Sequence, residues 1–240
     1  MSFFSHSFVP ANPIDQPLVV ILLGPPGSGK GTHAKPLSEH FSIPHISTGD
    51  LFRAHLEKKT PLGDQVQRYL DQGALVPDDL VIDMLFSRIA EKDCKKGYIL
   101  DGFPRSLYQA ERLLSKMHDT KLAVIHLSVE DAVITERILG RLLCKGCQTS
   151  FHEIFCPPKI CGVCDHCSTP FVKRSDDTKT IINKRLQAYH QEIAPIVSFY
   201  TKKGCLFTID ASGKKEEIFH DTIQEINQHL AKERSFSEAY

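Results

Sequence analysis

The sequence predicts an α/β protein with a doubly wound, parallel sheet of five strands and two insertions at its rim. Four short apolar runs, at residues 18–23, 98–100, 121–127 and 205–209, have the composition of strands buried on both faces. A shorter strand is expected to end near Ile46, and helix-compatible stretches separate all of these runs. Strands that alternate with helices form parallel sheets, because each helix returns the chain to the same edge.

Composition limits the classes of protein that fit. The chain has 240 residues, of which 41% are hydrophobic and 24% charged, as expected for one large domain with small insertions. A formal net charge of 0 provides no general attraction to nucleic acid or to anionic membranes. No apolar run approaches the roughly 18 residues that span a bilayer, and residues 1–17 do not resemble a signal peptide. We expect a cytoplasmic protein without a membrane partner, with a loose leader over residues 1–17 and a core over residues 18–240.

A glycine-rich loop, residues 24–32 (GPPGSGKGT), joins the first strand to helix-compatible residues 33–41. Its G-x-x-x-x-G-K pattern predicts a nucleotide-phosphate site, because successive backbone N–H groups cradle phosphate oxygens and Lys30 reaches the outer ones. Gly31 stands where Ser or Thr usually follows the lysine, and Thr32 comes one position later. Pro36 should kink the helix, or lie in the first turns of a helix that starts late.

The strand at residues 98–100 delivers Asp101 at its carboxyl end, followed by Gly102, Phe103, Pro104 and Arg105. Ligands of open α/β sheets bind at this end of the strands. A carboxylate and a guanidinium there suit a magnesium–phosphate site. The alternative is a Gly-Pro turn with a local ion pair.

Three further arginines occupy positions that an anionic ligand would favour. Arg53 lies in the first turn of a predicted helix at residues 51–58, where a cation opposes the helix dipole. Arg137 and Arg141 are predicted four residues apart on one face of a helix at residues 131–142, where like charges repel. The alternatives are an exposed surface arginine and a solvated helix face.

The eight cysteines include two C-x-x-C pairs, Cys144 with Cys147 and Cys164 with Cys167. This spacing is typical of a zinc site, and four sulfur ligands with no open position indicate a structural ion. Cys161 is also spaced correctly from Cys164, so a ligand set that uses this pair remains an alternative.

Several motifs resemble, in the same order, those of the adenylate kinase family. They are GPPGSGKGT at 24–32, STGD at 47–50, DGFPR at 101–105, RSDD at 174–177 and KRL at 184–186. The resemblance covers about residues 18–229 and implies a fold of the P-loop NTPase type. It identifies residues 47–76 as the small helical monophosphate-binding insertion and residues 142–178 as a long, zinc-stapled lid. The family's loop ends in G-K-G-T, which accounts for Gly31.

The resemblance also implies site residues. ATP would contact Gly27, Ser28, Gly29, Lys30, Gly31, Thr32, Arg137, Arg141, Ser150, Phe151 and Gly213. AMP would contact Thr48, Arg53, Ala74, Leu75, Val76, Gly102, Arg105, Gln109, Arg174 and Arg185. The catalytic groups would be Lys30, Asp101, Arg105, Arg141, Arg174 and Arg185, with Asp101 positioning Mg²⁺ through water.

The function that the resemblance implies is the reaction Mg·ATP + AMP ⇌ 2 ADP, which serves nucleotide homeostasis, carried out by a monomer. Two alternatives stay open. One is a kinase on the same scaffold that accepts UMP or CMP, although the long lid argues against it. The other is a zinc-ribbon protein that binds nucleic acid, which the net charge of 0 disfavours.

Overall fold

The computed structural model describes residues 16–147 and 149–237. The predicted leader therefore lies, except for residues 16 and 17, outside the described residues. None of the described helices combines the length and apolarity that a bilayer span requires.

The described elements alternate between strand and helix through most of the chain. The strands are β1 (Leu18–Leu23), β2 (His45–Ser47), β3 (Gly97–Asp101), β4 (Lys121–Ser128), β5 (Arg141–Cys144), β6 (Ser150–His152), β7 (Phe171–Val172) and β8 (Leu206–Asp210). The helices are α1 (Lys30–Phe41), α2 (Thr48–Glu57), α3 (Pro61–Gln72), α4 (Asp78–Ile89), α5 (Leu107–Leu114), α6 (Asp131–Leu139), α7 (Lys179–Lys202) and α8 (Lys215–Ser237).

The main sheet has five parallel strands in the order β2-β3-β1-β4-β8, which confirms the predicted fold class. Strand β1 is central and its six residues are all buried, as its continuous apolar run requires. Alternate residues of β1 belong to two hydrophobic clusters, Val19 and Ile21 to one and Leu18 and Val20 to the other. Helices therefore cover both faces of the sheet, and the carboxyl ends of the strands form one edge.

Capping side chains start four of the helices. Ser47, Thr60, Ser106 and Thr178 each accept a hydrogen bond from a backbone N–H in the first turn. Residues 47–76 consist largely of α2 and α3, and α3 is capped after Gln72 by Gly73, whose φ of 69° lies in the left-handed region.

The structure corrects the predicted end of one helix and gives the start of another. Helix α6 ends at Leu139, and Arg141 is the first residue of β5, so the predicted helix face shared by Arg137 and Arg141 is wrong. The helix stops because Gly140 follows it and β5 then pairs with β6. Helix α1 starts at Lys30, earlier than the predicted residues 33–41, and Pro36 lies in its second turn, within the first turns in which it was predicted.

A second, antiparallel sheet of three short strands, in the order β6-β5-β7, lies within the segment that was predicted to form a lid. The hydrophobic cluster beside it consists of Cys144, Phe151 and Cys164, with Phe171 packed against them. Apolar burial among the described residues of this segment is thus far smaller than around the main sheet.

Candidate active site

The glycine-rich loop follows β1 and ends in the first turn of α1, with Lys30 folded back onto it. The Lys30 ammonium donates hydrogen bonds to the carbonyl oxygens of Gly24 and Pro25, each at 2.8 Å. Burial lowers the pKa of Lys30 to about 8, against the opposing effect of the Asp101 carboxylate. Three arginines lower this pKa further: Arg105, Arg185 and Arg141. The loop therefore lies in a concentration of positive charge that suits a polyanion.

Two glycines let this loop pack where a side chain would not fit. Gly24 has φ 146°, and a Cβ there would lie 2.7 Å from the carbonyl oxygen of Leu127 on β4. Gly27 has φ 81°, and a Cβ there would lie 2.7 Å from the Ile138 side chain on α6. The close approach of β4 and α6 fixes the loop at the carboxyl edge of the sheet.

Asp101 ends β3 directly beside the loop. A Cβ on Gly31 would lie 3.4 Å from Asp101 Oδ2, so the chain approaches the carboxylate closely at this glycine. Burial by itself would raise the pKa of Asp101, but His45, Lys30 and Arg105 together lower it below its usual value. The His45 Nε2 atom lies 3.6 Å from Asp101 Oδ2. Asp101 is therefore ionised at neutral pH, next to the predicted phosphate site.

Two of the predicted arginines form ion pairs with the acids of the R-S-D-D motif. Arg141 Nε donates to Asp177 Oδ2 at 2.9 Å, and its Nη2 also contacts this carboxylate. Arg185 Nη2 lies 2.7 Å from Asp176 Oδ2. All four side chains are less than one-fifth exposed, so these pairs are held away from bulk water.

Asp50 joins two further arginines across the cleft between α2 and the end of the lid segment. It accepts hydrogen bonds from Arg53 and lies 3.9 Å from Arg174 Nη2. Burial lowers the pKa of Arg174 to about 10, and the charges of Arg141 and Arg53 add to this effect. The buried Arg174 Nε has no hydrogen-bond partner among the described residues. This guanidinium is thus incompletely satisfied in the protein alone.

Comparison with known proteins gives a consistent result. A family model described as "Adenylate kinase" matches residues 22–205. The adenylate kinase of Clostridium novyi (strain NT) is 44% identical over 214 residues, which cover 88% of this chain and 97% of that protein. The adenylate kinase of Clostridium kluyveri (strain ATCC 8527) is 45% identical over 203 residues, covering 83% and 94%. That of Caldanaerobacter subterraneus subsp. tengcongensis is 44% identical over 205 residues, covering 84% and 93%.

The chain belongs to the adenylate kinase family. It is accordingly a phosphotransferase of the nucleoside monophosphate kinase class, and the resemblance seen in its motifs is confirmed.

Several hydrogen bonds surround the D-G-F-P-R turn (residues 101–105), on the side of the site that is predicted to bind AMP. The Gly102 carbonyl oxygen accepts from Thr48 Oγ1 at 2.9 Å and from Arg105 Nε at 2.8 Å. The Gln109 side chain is 2% exposed. Its Oε1 accepts from the Arg105 backbone N–H and its Nε2 donates to Asp78 Oδ1, both at 2.7 Å. Both ends of this amide therefore already have protein partners.

The other predicted acceptor residues, Ala74, Leu75 and Val76, follow α3. Val76 belongs to the core, whereas Ala74 is exposed. A cavity of about 350 Å³ lies between this turn and α7. Its lining consists of Gln72, Gly73, Ala74, Lys184, Gln187, Ala188 and Gln191. The structure thus opens a space beside one of the three predicted residues.

On the predicted donor side, Arg137 lies beside the loop that follows β8. It donates to the carbonyl oxygens of Ala211 at 2.8 Å and Ser212 at 3.4 Å, next to the predicted Gly213. Ser150 is partly exposed on β6. Phe151 is 7% exposed, and its ring centroid lies 5.1 Å from that of Phe171. Phe151 is therefore part of the lid's small core.

The four preferred cysteines come together in the lid. The sulfur atoms of Cys144, Cys147, Cys164 and Cys167 all lie within 4.8 Å of one another. Cys144 and Cys167 are separated by 3.3 Å, and Cys147 and Cys164 by 3.5 Å. A tetrahedral zinc site with zinc–sulfur distances of about 2.3 Å has edges of about 3.8 Å, so the donor set fits this ion. Cys161 is exposed and lies outside the cluster, against the alternative ligand set.

Four titratable residues contact the predicted site residues but have no predicted role themselves: His45, Asp50, Asp176 and Asp177. Asp50, Asp176 and Asp177 lie within the S-T-G-D and R-S-D-D motifs, close in sequence to arginines predicted to bind phosphate. This spacing could have predicted that the acids pair with arginines of the site. His45 has no such signal, because only the parallel pairing of β2 with β3 brings it to Asp101.

Proposed function

We propose that the protein catalyses reversible phosphoryl transfer between Mg·ATP and AMP to give two ADP. The observation that carries this proposal is the convergence of one lysine and several arginines around Asp101 at the carboxyl edge of the sheet. Gly31, next to Lys30, approaches Asp101 Oδ2, and Arg105 folds back onto the carbonyl oxygen of Gly102, the residue after Asp101. The pKa of Lys30 is lowered by Arg105, Arg185 and Arg141, in keeping with this arrangement. Family membership supports the same reaction, since the relatives are adenylate kinases.

The donor nucleotide is proposed to bind along the glycine-rich loop and the edge of α6. Lys30 then exchanges the carbonyl oxygens of Gly24 and Pro25 for phosphate oxygens, which are stronger partners for an ammonium. The residues that would contact ATP are Gly27, Ser28, Gly29, Lys30, Gly31, Thr32, Arg137, Arg141, Ser150, Phe151 and Gly213. Because Phe151 is packed in the lid core, its contact would be made by backbone or ring edge.

The acceptor nucleotide is proposed to bind between α2, the turn after α3 and the D-G-F-P-R turn. Its contacts would be Thr48, Arg53, Ala74, Leu75, Val76, Gly102, Arg105, Gln109, Arg174 and Arg185. The unsatisfied Nε of Arg174, whose guanidinium lies near Asp50 on α2, supports this placement. An acceptor phosphate would supply the missing partner to Arg174.

Phosphoryl transfer needs alignment and charge stabilisation more than proton transfer, because its transition state is loose. Arg141, Arg174 and Arg185 are proposed to release their carboxylate partners and turn to the phosphates. When bound, Mg²⁺ would neutralise charge on the phosphates, and the ionised Asp101 would hold it through water. Closure of residues 47–76 and 142–178 over the core would exclude water and prevent hydrolysis.

We further propose that the cysteine cluster holds a structural Zn²⁺. Four thiolates complete its tetrahedron and leave no position for a substrate, so its role is to fold the lid. Thiolates that bind metal must stay reduced, which supports a cytoplasmic location. We also propose a monomer without a nucleic-acid partner, in keeping with the family and with the formal net charge of 0.

A coupled assay for ADP formation, with ATP as donor and AMP, GMP, UMP and CMP as acceptors, tests the proposed reaction. AMP is expected to give a kcat/KM at least about 100-fold above the others, the level that hydrogen-bonded base recognition supplies. A higher kcat/KM with UMP or CMP than with AMP would show that the acceptor is a pyrimidine nucleotide and not AMP. Transfer to none of the four would contradict the proposed function.

A further inference from the structure

A carboxylate outside the predicted site fixes the side chain of Gln109. Asp78 is the first residue of α4, and its two oxygens face α5. Asp78 Oδ1 accepts from Gln109 Nε2 at 2.7 Å, and Oδ2 accepts from Ser106 Oγ at 2.8 Å. On its other side, Gln109 Oε1 accepts from the Arg105 backbone N–H at 2.7 Å. One chain of hydrogen bonds thus runs from α4 through Gln109 to the phosphate-binding turn.

This chain permits only one polarity of the Gln109 amide. An ionised carboxylate accepts hydrogen bonds and a backbone N–H donates them, so the NH₂ group must face Asp78 and the oxygen must face Arg105. Turning the amide over would place oxygen against carboxylate and NH₂ against N–H. Each buried group left unsatisfied in this way costs about 1–3 kcal/mol. Gln109 is therefore held with its donor and acceptor in a defined order.

The remaining hydrogen-bonding capacity of Gln109 is one hydrogen on Nε2 and one lone pair on Oε1. A 6-aminopurine offers an amino donor beside the ring acceptor N1, which pairs with an amide oxygen beside an amide N–H. A 6-oxopurine offers the reverse order, an oxygen beside N1–H, and pairs only with the reversed amide. An amide that cannot turn over at a fixed position therefore distinguishes these two kinds of base.

We propose that Asp78 is a positioning residue that sets acceptor-base selectivity by holding the Gln109 amide in the polarity that matches a 6-amino base. This inference rests on the proposed function, in which Gln109 meets the acceptor base. Asp78 itself touches no substrate in this scheme. Its effect should appear in the choice between bases and leave the binding of the donor nucleotide unchanged.

AMP and IMP are the matched probes, because their bases differ only in the 6-substituent and the N1 hydrogen. In Asp78→Asn the neutral amide can present oxygen or NH₂ to Gln109, which removes much of the penalty for turning over. The ratio of kcat/KM for AMP to that for IMP is expected to fall about tenfold, mainly through the KM values of the monophosphates. The Kd for ATP should stay within about twofold.

Asp79→Asn is the control, because Asp79 is exposed, is next in α4 and has no hydrogen bond to Gln109 among the described residues. It should leave the AMP-to-IMP ratio unchanged. Asp78→Ser is the second variant, should the asparagine variant fail to fold, since a hydroxyl also accommodates either polarity. An unchanged ratio in the Asp78 variants, or an equal fall in Asp79→Asn, would overturn the inference while transfer to AMP upholds the proposed function. A wild-type enzyme that transfers to no monophosphate would overturn both.

Discussion

The main sheet and the lid sheet of this protein are stabilised in different ways. All six residues of β1 are buried between neighbouring strands and helices on both faces. The lid strands β5, β6 and β7 have four, three and two residues, and the buried cluster described for them contains only Cys144, Phe151 and Cys164. Apolar burial is sufficient for the first region. For the second region we expect a metal held by the cysteine cluster to supply the missing stability, because a segment with so little buried surface cannot fold by burial alone.

This difference matches what each region contributes to the site. The main sheet places Lys30 and Asp101 on rigid elements at its carboxyl edge. The lid segment and its junctions contain Arg141 and Arg174, whose carboxylate partners would be exchanged for phosphate oxygens in the proposed reaction. In the proposed mechanism the lid moves, and a compact metal staple would keep its internal geometry while its contacts with the core change.

Replacement of Lys30 by Met has the largest expected effect. It tests whether Lys30 is needed for catalysis but not for the stability of the fold. Turnover should fall about 10³-fold, because the charge facing the transferred phosphate is lost. The melting temperature should change by less than about 5 °C, since the ammonium is itself costly to bury. A variant that melts far earlier, or that keeps more than about a tenth of wild-type turnover, would break the contrast between the two regions.

The Cys144→Ser substitution tests whether the stability of the lid depends on the cysteine cluster. Loss of one sulfur from the cluster should abolish zinc binding and destabilise the lid by about 3 kcal/mol, or lower the melting temperature by roughly 10 °C. Calorimetry combined with metal analysis by mass spectrometry measures both quantities. Cys161→Ser is the matched control and should change neither, because Cys161 is exposed and outside the cluster. Purified wild-type protein that carries no metal and is insensitive to chelators would refute the zinc site.

The pH dependence of ATP binding has the smallest expected effect and concerns the core alone. Burial holds the pKa of Lys30 at about 8 in the free protein, so the ammonium is lost as the pH rises from 8 towards 9.5. Bound phosphate favours the protonated form, so the Kd for ATP should rise by up to about tenfold per pH unit in this range. Lys30→Arg should show a flat profile, because a guanidinium stays charged there. A wild-type Kd that is constant up to pH 9.5 would contradict the buried-lysine interpretation.

The same shift has the opposite sign for folding. The folded-state pKa of Lys30 is below its ordinary value of 10.5, so the unfolded chain binds more protons between about pH 8 and 10.5. The contribution of this group to stability therefore increases with pH over the range in which ATP binding weakens. Measuring both quantities on one protein separates an effect on Lys30 from general alkaline unfolding.

Local sequence was sufficient to predict the elements with strong local signals. The apolar run of β1, the glycine-rich loop after it and the two C-x-x-C pairs each occupy the predicted place. The prediction for Arg141 failed because a helical pattern of side chains continued past Gly140, whereas pairing of β5 with β6 decided the backbone. Pairing with a strand that lies several residues further along the chain is not visible in local periodicity.

The sequence by itself predicted the fold class, the family, the glycine-rich loop and the two C-x-x-C pairs, because each has a signal in residues that are close together in the chain, whereas the structure decided between Cys161 and Cys167. Only the tertiary structure decided the partners of the charged groups. Arg141 with Asp177, and Asp101 with His45, are separated in sequence by dozens of residues. The orientation of the Gln109 amide likewise depends on Asp78, 31 residues away in the chain. A hydrogen bond between residues that are distant in sequence produces no periodic pattern from which it could be predicted.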